Sequence, residues 1–171
     1  MNLVISDASS LILLNKIGLI NELTKLMLIK IPEEIKKEAV DKGKEGGYKD
    51  AFEIEDLINK NIIEVKKVKN YENVNKLMKD YNIERGESEA IQLFKEMKAN
   101  LLATDDRNAI NACDLLGIPT SGSLAFVINC FSKKIISKKE GEEMINKLSI
   151  FGRYSSDIIN KALNDIKEVK K

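Results

Sequence analysis

Short apolar runs of strand length alternate along this chain with segments of helical period. Asn2-Leu3-Val4-Ile5-Ser6 reads as a buried strand, and Ser9-Ser10-Leu11-Ile12-Leu13-Leu14 opens a short helix that Gly18 interrupts. A second helix is predicted over about 19–27, followed by a short strand at Leu28-Ile29-Lys30-Ile31. Pro32, tolerated in a first turn, starts the next helix, which runs through Glu34, Ile35, Glu38 and Ala39 to a break at Gly46-Gly47. A helix over about 48–59 leads into the strand Ile62-Ile63-Glu64-Val65, and Val74 to Tyr81 is predicted helical. Gly86 begins a helix whose apolar residues at 90, 91, 94 and 97 share one face; it feeds a strand at 101–103 and a helix from about 107 to 116. Ser121-Gly122-Ser123 turns the chain into a helix of about 124–132. Ser137 with Glu140 three residues on is a capping-box pattern, and Ser155 or Ser156 precedes an amphipathic run through Ile158, Ile159, Ala162, Leu163 and Ile166.

Repeated strand-helix alternation with short connections implies βαβ units. The expected class is α/β, with a mostly parallel sheet, helices on both faces and further helices at the C-terminus. With 171 residues and no long polar linker, one compact domain is expected, its core over 1–132 and a helical extension over 133–171 packed on it.

Composition narrows the chemistry. There is no His, which removes imidazole bases, His-based triads and the usual His-containing zinc sites. Lys and Arg number 28 and Asp and Glu 27, a net charge of +1, so binding to a polyanion by bulk charge is disfavoured while a local Lys patch remains open. Cys113 and Cys130 sit in apolar helical patterns and read as buried, reduced thiols. The apolar runs are broken by Lys, Asn or Glu before they reach membrane-spanning length, no basic leader precedes them, and a cytoplasmic protein without membrane contact is expected. Aromatic content of 5% with no Trp offers little sign of base-stacking platforms; Tyr48, Tyr71, Tyr81 and Tyr154 are scattered and expected at the edge of the core or on the surface.

What stands out is where the carboxylates fall. Asp7 ends the first strand, and the pair Asp105-Asp106 follows the run Leu101-Leu102-Ala103-Thr104. In open parallel sheets ligands bind beyond the carboxyl ends of the strands, and one topological switch point would bring both ends together. Asp7 reads equally well as an N-cap of the helix after it, a role that Ser9 could also fill. Glu34 and Glu38 lie one turn apart and share a helix face, whereas Glu87 and Glu89 do not. Any one of these glutamates alone would be an ordinary solvated residue.

The segments Val4-Ile5-Ser6-Asp7-Ala8-Ser9-Ser10-Leu11, Ile31-Pro32-Glu33-Glu34-Ile35-Lys36-Lys37-Glu38, Gly86-Glu87-Ser88-Glu89-Ala90-Ile91 and Ala103-Thr104-Asp105-Asp106, with Ala112, Leu116-Gly117-Ile118 and the Gly122-Ser123-Leu124 turn, together resemble the PIN-domain superfamily. The likeness is to its small prokaryotic branch, VapC-like and similar to the DUF3368 proteins, and it reaches from residue 2 to about 132. It implies a three-layer fold in which the acidic residues fall on Asp7, Glu38, Glu87 and Asp105 or Asp106. Those five carboxylates would then be metal ligands and catalytic residues, with Ser9 in support. One departure is Asn111, where related chains tend to carry Arg.

Clustered carboxylates repel and need a cation to stay ionised at neutral pH; Mg²⁺ or Mn²⁺ suits an all-oxygen set. The expected activity is metal-dependent hydrolysis of RNA, single-stranded or in a hairpin loop. The resemblance adds a toxin-like role under an antitoxin protein, and the apolar helices Ala125 to Phe131 and the amphipathic tail leave room for a homodimer. Three rivals remain. A receiver-like phosphorylation domain would carry its acidic pair near the first strand, a haloacid-dehalogenase-like phosphatase would need Asp where Ser9 stands, and a non-catalytic RNA-binding or antitoxin-binding protein would keep the same fold.

Overall fold

The computed structural model describes residues 1–168; the last three residues of the predicted extension lie outside them. Five strands, β1 (Asn2–Ser6), β2 (Met27–Pro32), β3 (Ile63–Lys66), β4 (Leu101–Ala103) and β5 (Thr120–Ser121), form one sheet in the order β3-β2-β1-β4-β5. Every pairing is parallel: Val4 lies opposite Ile29 of β2 on one side and opposite Leu101 of β4 on the other. The chain therefore winds outward from β1 through β2 to β3, then crosses back to add β4 and β5 on the far side. β1 and β4 flank the place where the winding direction reverses, which is the crevice such sheets use for ligands.

Strand side chains alternate between faces, and two cores result. Val4 and Ala103 face a large cluster with Leu11, Leu14, Leu23 and Ile35, while Ile5 and Leu102 face a second one with Val74, Ile91, Ala112 and Cys113. Helices α1 (Ala8–Lys16), α2 (Ile20–Leu26), α3 (Glu33–Lys36), α4 (Lys42–Glu45) and α5 (Lys49–Asn59) precede β3; α6 (Tyr71–Tyr81) and α7 (Arg85–Met97) lie between β3 and β4, and α8 (Arg107–Leu116) between β4 and β5. The last three, α9 (Ser123–Ser132), α10 (Lys138–Phe151) and α11 (Ser156–Glu168), pack together; Ile145, Leu148, Ile159, Ala162 and Ile166 join the same core as Val4. Ser137 and Glu140 form the expected capping box on α10.

Some boundaries differ from those read in the sequence, each for a local reason. Pro32 is the final residue of β2 and caps α3 with extended backbone, instead of sitting in a first helical turn. α6 starts at Tyr71, not Val74, because the Asn70 side chain accepts the Asn73 N–H and caps it. α7 starts at Arg85 behind Glu84, whose reciprocal bonds with Glu87 form a capping box. The helix after β2 is not uniform either: α3 and α4 are separated by a π-helical turn, Lys37–Asp41.

Candidate active site

Asp7 leaves β1 with its N–H donated to the Ala103 carbonyl at 3.0 Å, which fastens the ends of β1 and β4 together. Its side chain is only 1% exposed. One carboxylate oxygen accepts from Ser9 Oγ at 2.8 Å and from the Ser10 N–H at 2.9 Å, and the other accepts from the Thr104 hydroxyl. The bond from Ser10 caps α1, so the capping and site roles fall on the same residue. Three donors do not offset the loss of water: burial, with the charge of Asp105 adding to it, pushes the Asp7 carboxyl up to about 7.

Ser9 and Thr104 knit the two strand ends into one unit. The Ser9 hydroxyl donates to Asp7 and accepts the Asp105 N–H at 2.9 Å; the Thr104 hydroxyl donates to Asp7 and accepts the Asp106 N–H at 3.1 Å. Asp105 turns toward α9. Its carboxylate accepts the Ser123 N–H at 2.9 and 3.1 Å, the Ser123 hydroxyl at 2.5 Å, and the hydroxyl of Tyr154 from the link between α10 and α11. Gly122 makes this approach possible, since a Cβ there would lie 2.9 Å from Asp105 Oδ1.

Asp106 caps α8, accepting the N–H groups of Asn108 at 2.8 Å and Ala109 at 2.9 Å with a single oxygen. It opens, with Glu87, on a polar cleft of about 490 Å³ that Asn82, Glu84, Asn108 and Arg153 also line. Glu87 accepts the Glu84 N–H at 2.6 Å. Burial and the nearby charges of Asp106 and Glu84 hold its carboxyl above the ordinary range.

Glu38 stands in the π-helical turn, with its carboxylate against Gly86 of α7. Burial first, then the charges of Glu87, Glu34 and Glu84, push it up to about 7, against the opposing pull of Lys42. The other two glutamates weighed above lie elsewhere. Glu34 pairs with Lys37 at 3.0 Å, and the buried Glu89 accepts from Arg85 Nε at 3.0 Å and from the Glu34 N–H at 3.3 Å.

The carboxylates thus form an electrostatically coupled set in which Asp7 feels Asp105, Glu87 feels Asp106 and Glu38 feels Glu87. They do not close into a ready-made cage: among the described residues no three Asp, Glu or Cys side chains stand as a metal-holding group. By chemistry the set suits a hard divalent ion. All donors are oxygens, and three of the five are raised, first by burial and then by the negative charge of their neighbours, which a bound cation would offset.

Tyr154 flanks the core as expected, part-buried, but it also sets its hydroxyl on Asp105; that contact joins residues 49 apart in sequence, and no local pattern signals it. Thr104 and Ser123 are the other two side chains that sequence reasoning left without a role. Cys113 and Cys130 are buried and unbridged, and burial pushes the Cys113 thiol up to about 12. No helix among the described residues is long and apolar enough to cross a membrane.

A strand-end aspartate bound across a parallel sheet's switch point to a second acidic strand end, with two helix-borne glutamates beside it, defines an α/β domain with an acidic crevice. A family model described as a PIN domain, DUF3368, matches residues 3–168, and the chain belongs to that family. No curated protein and no solved structure matches it.

Proposed function

We propose that this protein is a divalent-metal-dependent endoribonuclease that hydrolyses phosphodiester bonds in RNA, single-stranded or looped. The observation that carries the reading is the Asp7 carboxylate, buried at the switch point with its pKa pushed up to about 7. Capping α1 does not require a carboxylate so deeply buried that its pKa is raised this far, and perturbed carboxylates in a crevice mark working sites. PIN-domain membership supports the same reading.

Asp7, Glu38, Glu87, Asp105 and Asp106 would hold the ion. Mg²⁺ or Mn²⁺ bound by such a set lends positive charge to the phosphoryl group and helps to orient water. Ser9 and Thr104 hold Asp7 in one orientation, and Ser123 with Tyr154 does the same for Asp105. The water oxygen would form a new P–O bond as the bond to the departing oxygen breaks, and the proton that the water gives up would end on that departing oxygen. Arg153, exposed at the cleft of Glu87 and Asp106, would meet the phosphate backbone.

The test is a varied pool of single-stranded and hairpin RNAs incubated with Mn²⁺ or chelator. Cleavage by wild type should fall a hundredfold or more, about 3 kcal/mol of barrier, in Asp7→Asn and in Glu87→Gln while both remain folded. A folded, metal-binding protein that cleaves none of the pool would move the reading to a non-catalytic RNA-binding or antitoxin-binding protein.

A further inference from the structure

Aromatic residues that look scattered in the sequence come together on the surface beside Glu38. Tyr48 is 59% exposed and Phe151 50% exposed, and Lys16 Nζ lies 5.8 Å from the centroid of the first ring and 5.3 Å from that of the second. Lys16 also pairs with Asp50 at 3.2 Å. The Tyr48 ring is seated by a glycine: a Cβ on Gly46 would lie 2.6 Å from its Cε2 and 2.9 Å from its Cδ2. A groove of about 410 Å³ is lined by this ring and by Glu38, with Ile12 and Ala39 as apolar lining and with Lys42 and Asp50 also on its wall. Lys42 makes no ion pair within 4.0 Å among the described residues.

We propose that this groove is a nucleobase subsite of the enzyme, in which Tyr48 stacks on the base next to the scissile phosphate and Lys42 meets that nucleotide's backbone charge; the assignment rests on the ribonuclease reading. Exposed rings held in place beside cations are what a sequence-tolerant single-strand site needs, because every base has a π face and every linkage a negative charge. The groove's lining sets the Tyr48 ring, Ile12 and Ala39 among two lysines and the acidic Glu38 and Asp50, which suits a flat heterocycle whose edge N–H groups and phosphate both need partners. Its continuity with Glu38 puts such a base one step from the proposed chemistry. A protein segment would bury the same apolar lining, but it would gain little from the unpaired cation of Lys42 on the groove wall.

The test reads binding apart from cleavage. Fluorescently labelled single-stranded RNA of mixed sequence is titrated with protein in Ca²⁺, its integrity checked on a gel, and anisotropy gives the affinity. Tyr48→Ala should weaken binding roughly tenfold or more, as loss of one stacked base does, while Tyr48→Phe stays close to wild type. An RNA with abasic positions should bind wild type as weakly as intact RNA binds Tyr48→Ala. Equal affinity of Tyr48→Ala and wild type, or no RNA binding by wild type, overturns the subsite. So does a wild-type dimer in sedimentation that Tyr48→Ala dissociates with RNA affinity unchanged, since the groove then belongs to a second copy. Cleavage without Tyr48-dependent binding sinks the subsite alone; Tyr48-dependent binding without cleavage sinks the nuclease reading alone.

Discussion

The carboxylate of Glu38 occupies the space that a side chain on Gly86 would need: a Cβ there would lie 2.6 Å from Oε1 and 2.9 Å from Oε2, and 2.9 Å from Ile35 Cδ1. In the second position of a helix, Gly→Ala normally stabilises by up to about 1 kcal/mol. Here the atoms in the way are the ends of the Glu38 and Ile35 side chains, which can move aside, so overpacking slightly exceeds that gain and Gly86→Ala should destabilise by at most about 1 kcal/mol. Urea unfolding in a double-mutant cycle with Glu38→Ala checks the cause. If shortening Glu38 restores none of the loss, the two residues do not compete for this space.

Asp7 makes the fold pH-dependent in an unusual direction. Its carboxyl rises from 3.8 unfolded to about 7 folded, so between those values the native state holds a proton that the unfolded chain has released. Stability from this group is complete below pH 4 and is lost as pH rises toward 7, by up to about 4 kcal/mol. Glu38 and Glu87, both raised, act in the same direction. Asp7→Asn keeps the size and resembles the protonated carboxyl: its oxygen can accept from Ser9 and Ser10, while its NH2 would donate to the Thr104 hydroxyl. It should match wild type near pH 4 and exceed it in urea midpoint at pH 8; equal midpoints at both pH values would show that Asp7 carries no strained charge.

Much of this arrangement was legible in the sequence because it follows from period and strand ends. Near-continuous apolar runs gave the parallel sheet, and the positions of Asp7 and Asp105 after two of those runs gave the crevice. What stayed hidden depends on tertiary approach. Tyr154 reaches Asp105 from the far end of the chain, and Tyr48, Lys16 and Phe151 meet only after α1, α5 and α10 have packed. The π-helical turn that carries Glu38, Lys37-Glu38-Ala39-Val40-Asp41, has no residue signature, since one such turn is too short to reveal a change of period. Capping was half visible: Ser137 with Glu140 follows the usual residue types, whereas Glu84 with Glu87 puts a glutamate where Ser or Thr is expected.

Asp106 holds two roles that substitution can separate. Its Oδ1 accepts both the Asn108 and the Ala109 N–H, an arrangement Asn can copy and Ala cannot. Asp106→Ala should cost about 1 kcal/mol in thermal or urea unfolding, and Asp106→Asn much less. If the charge also serves the metal site, the two variants should lose Mn²⁺ affinity alike although only one loses stability. Retained Mn²⁺ affinity in Asp106→Asn would confine this residue to capping.

Tyr154 ties the C-terminal helices to the site through one hydroxyl, which donates to Asp105 and accepts the Leu124 N–H at 3.3 Å. Burial and the charge of Asp105 push its phenol above the ordinary range. Tyr154→Phe removes a bond to a charged acceptor and should cost about 1.5 to 3 kcal/mol. Ultraviolet titration of the folded protein should show one tyrosine fewer ionising last than in wild type. Unchanged stability together with an unchanged titration curve would mean that the hydroxyl does not hold Asp105.

Metal linkage joins these lines. Three raised carboxylates mean that the crevice by itself resists ionisation, so a cation should bind more tightly as pH rises and should lower their pKa values in return. A ligand present at about a hundred times its dissociation constant stabilises the native state by about 2.7 kcal/mol, a melting shift of roughly 5 to 10 °C for a chain of this size. Mn²⁺ should therefore raise the melting temperature of wild type at pH 8 by an amount of that order and hardly at all at pH 5. Asp7→Asn and Glu87→Gln should each shrink the shift at pH 8 without abolishing folding. A Mn²⁺ shift that is the same at both pH values, or that survives both substitutions, would place the ion away from this crevice and remove the main support for metal-dependent chemistry there.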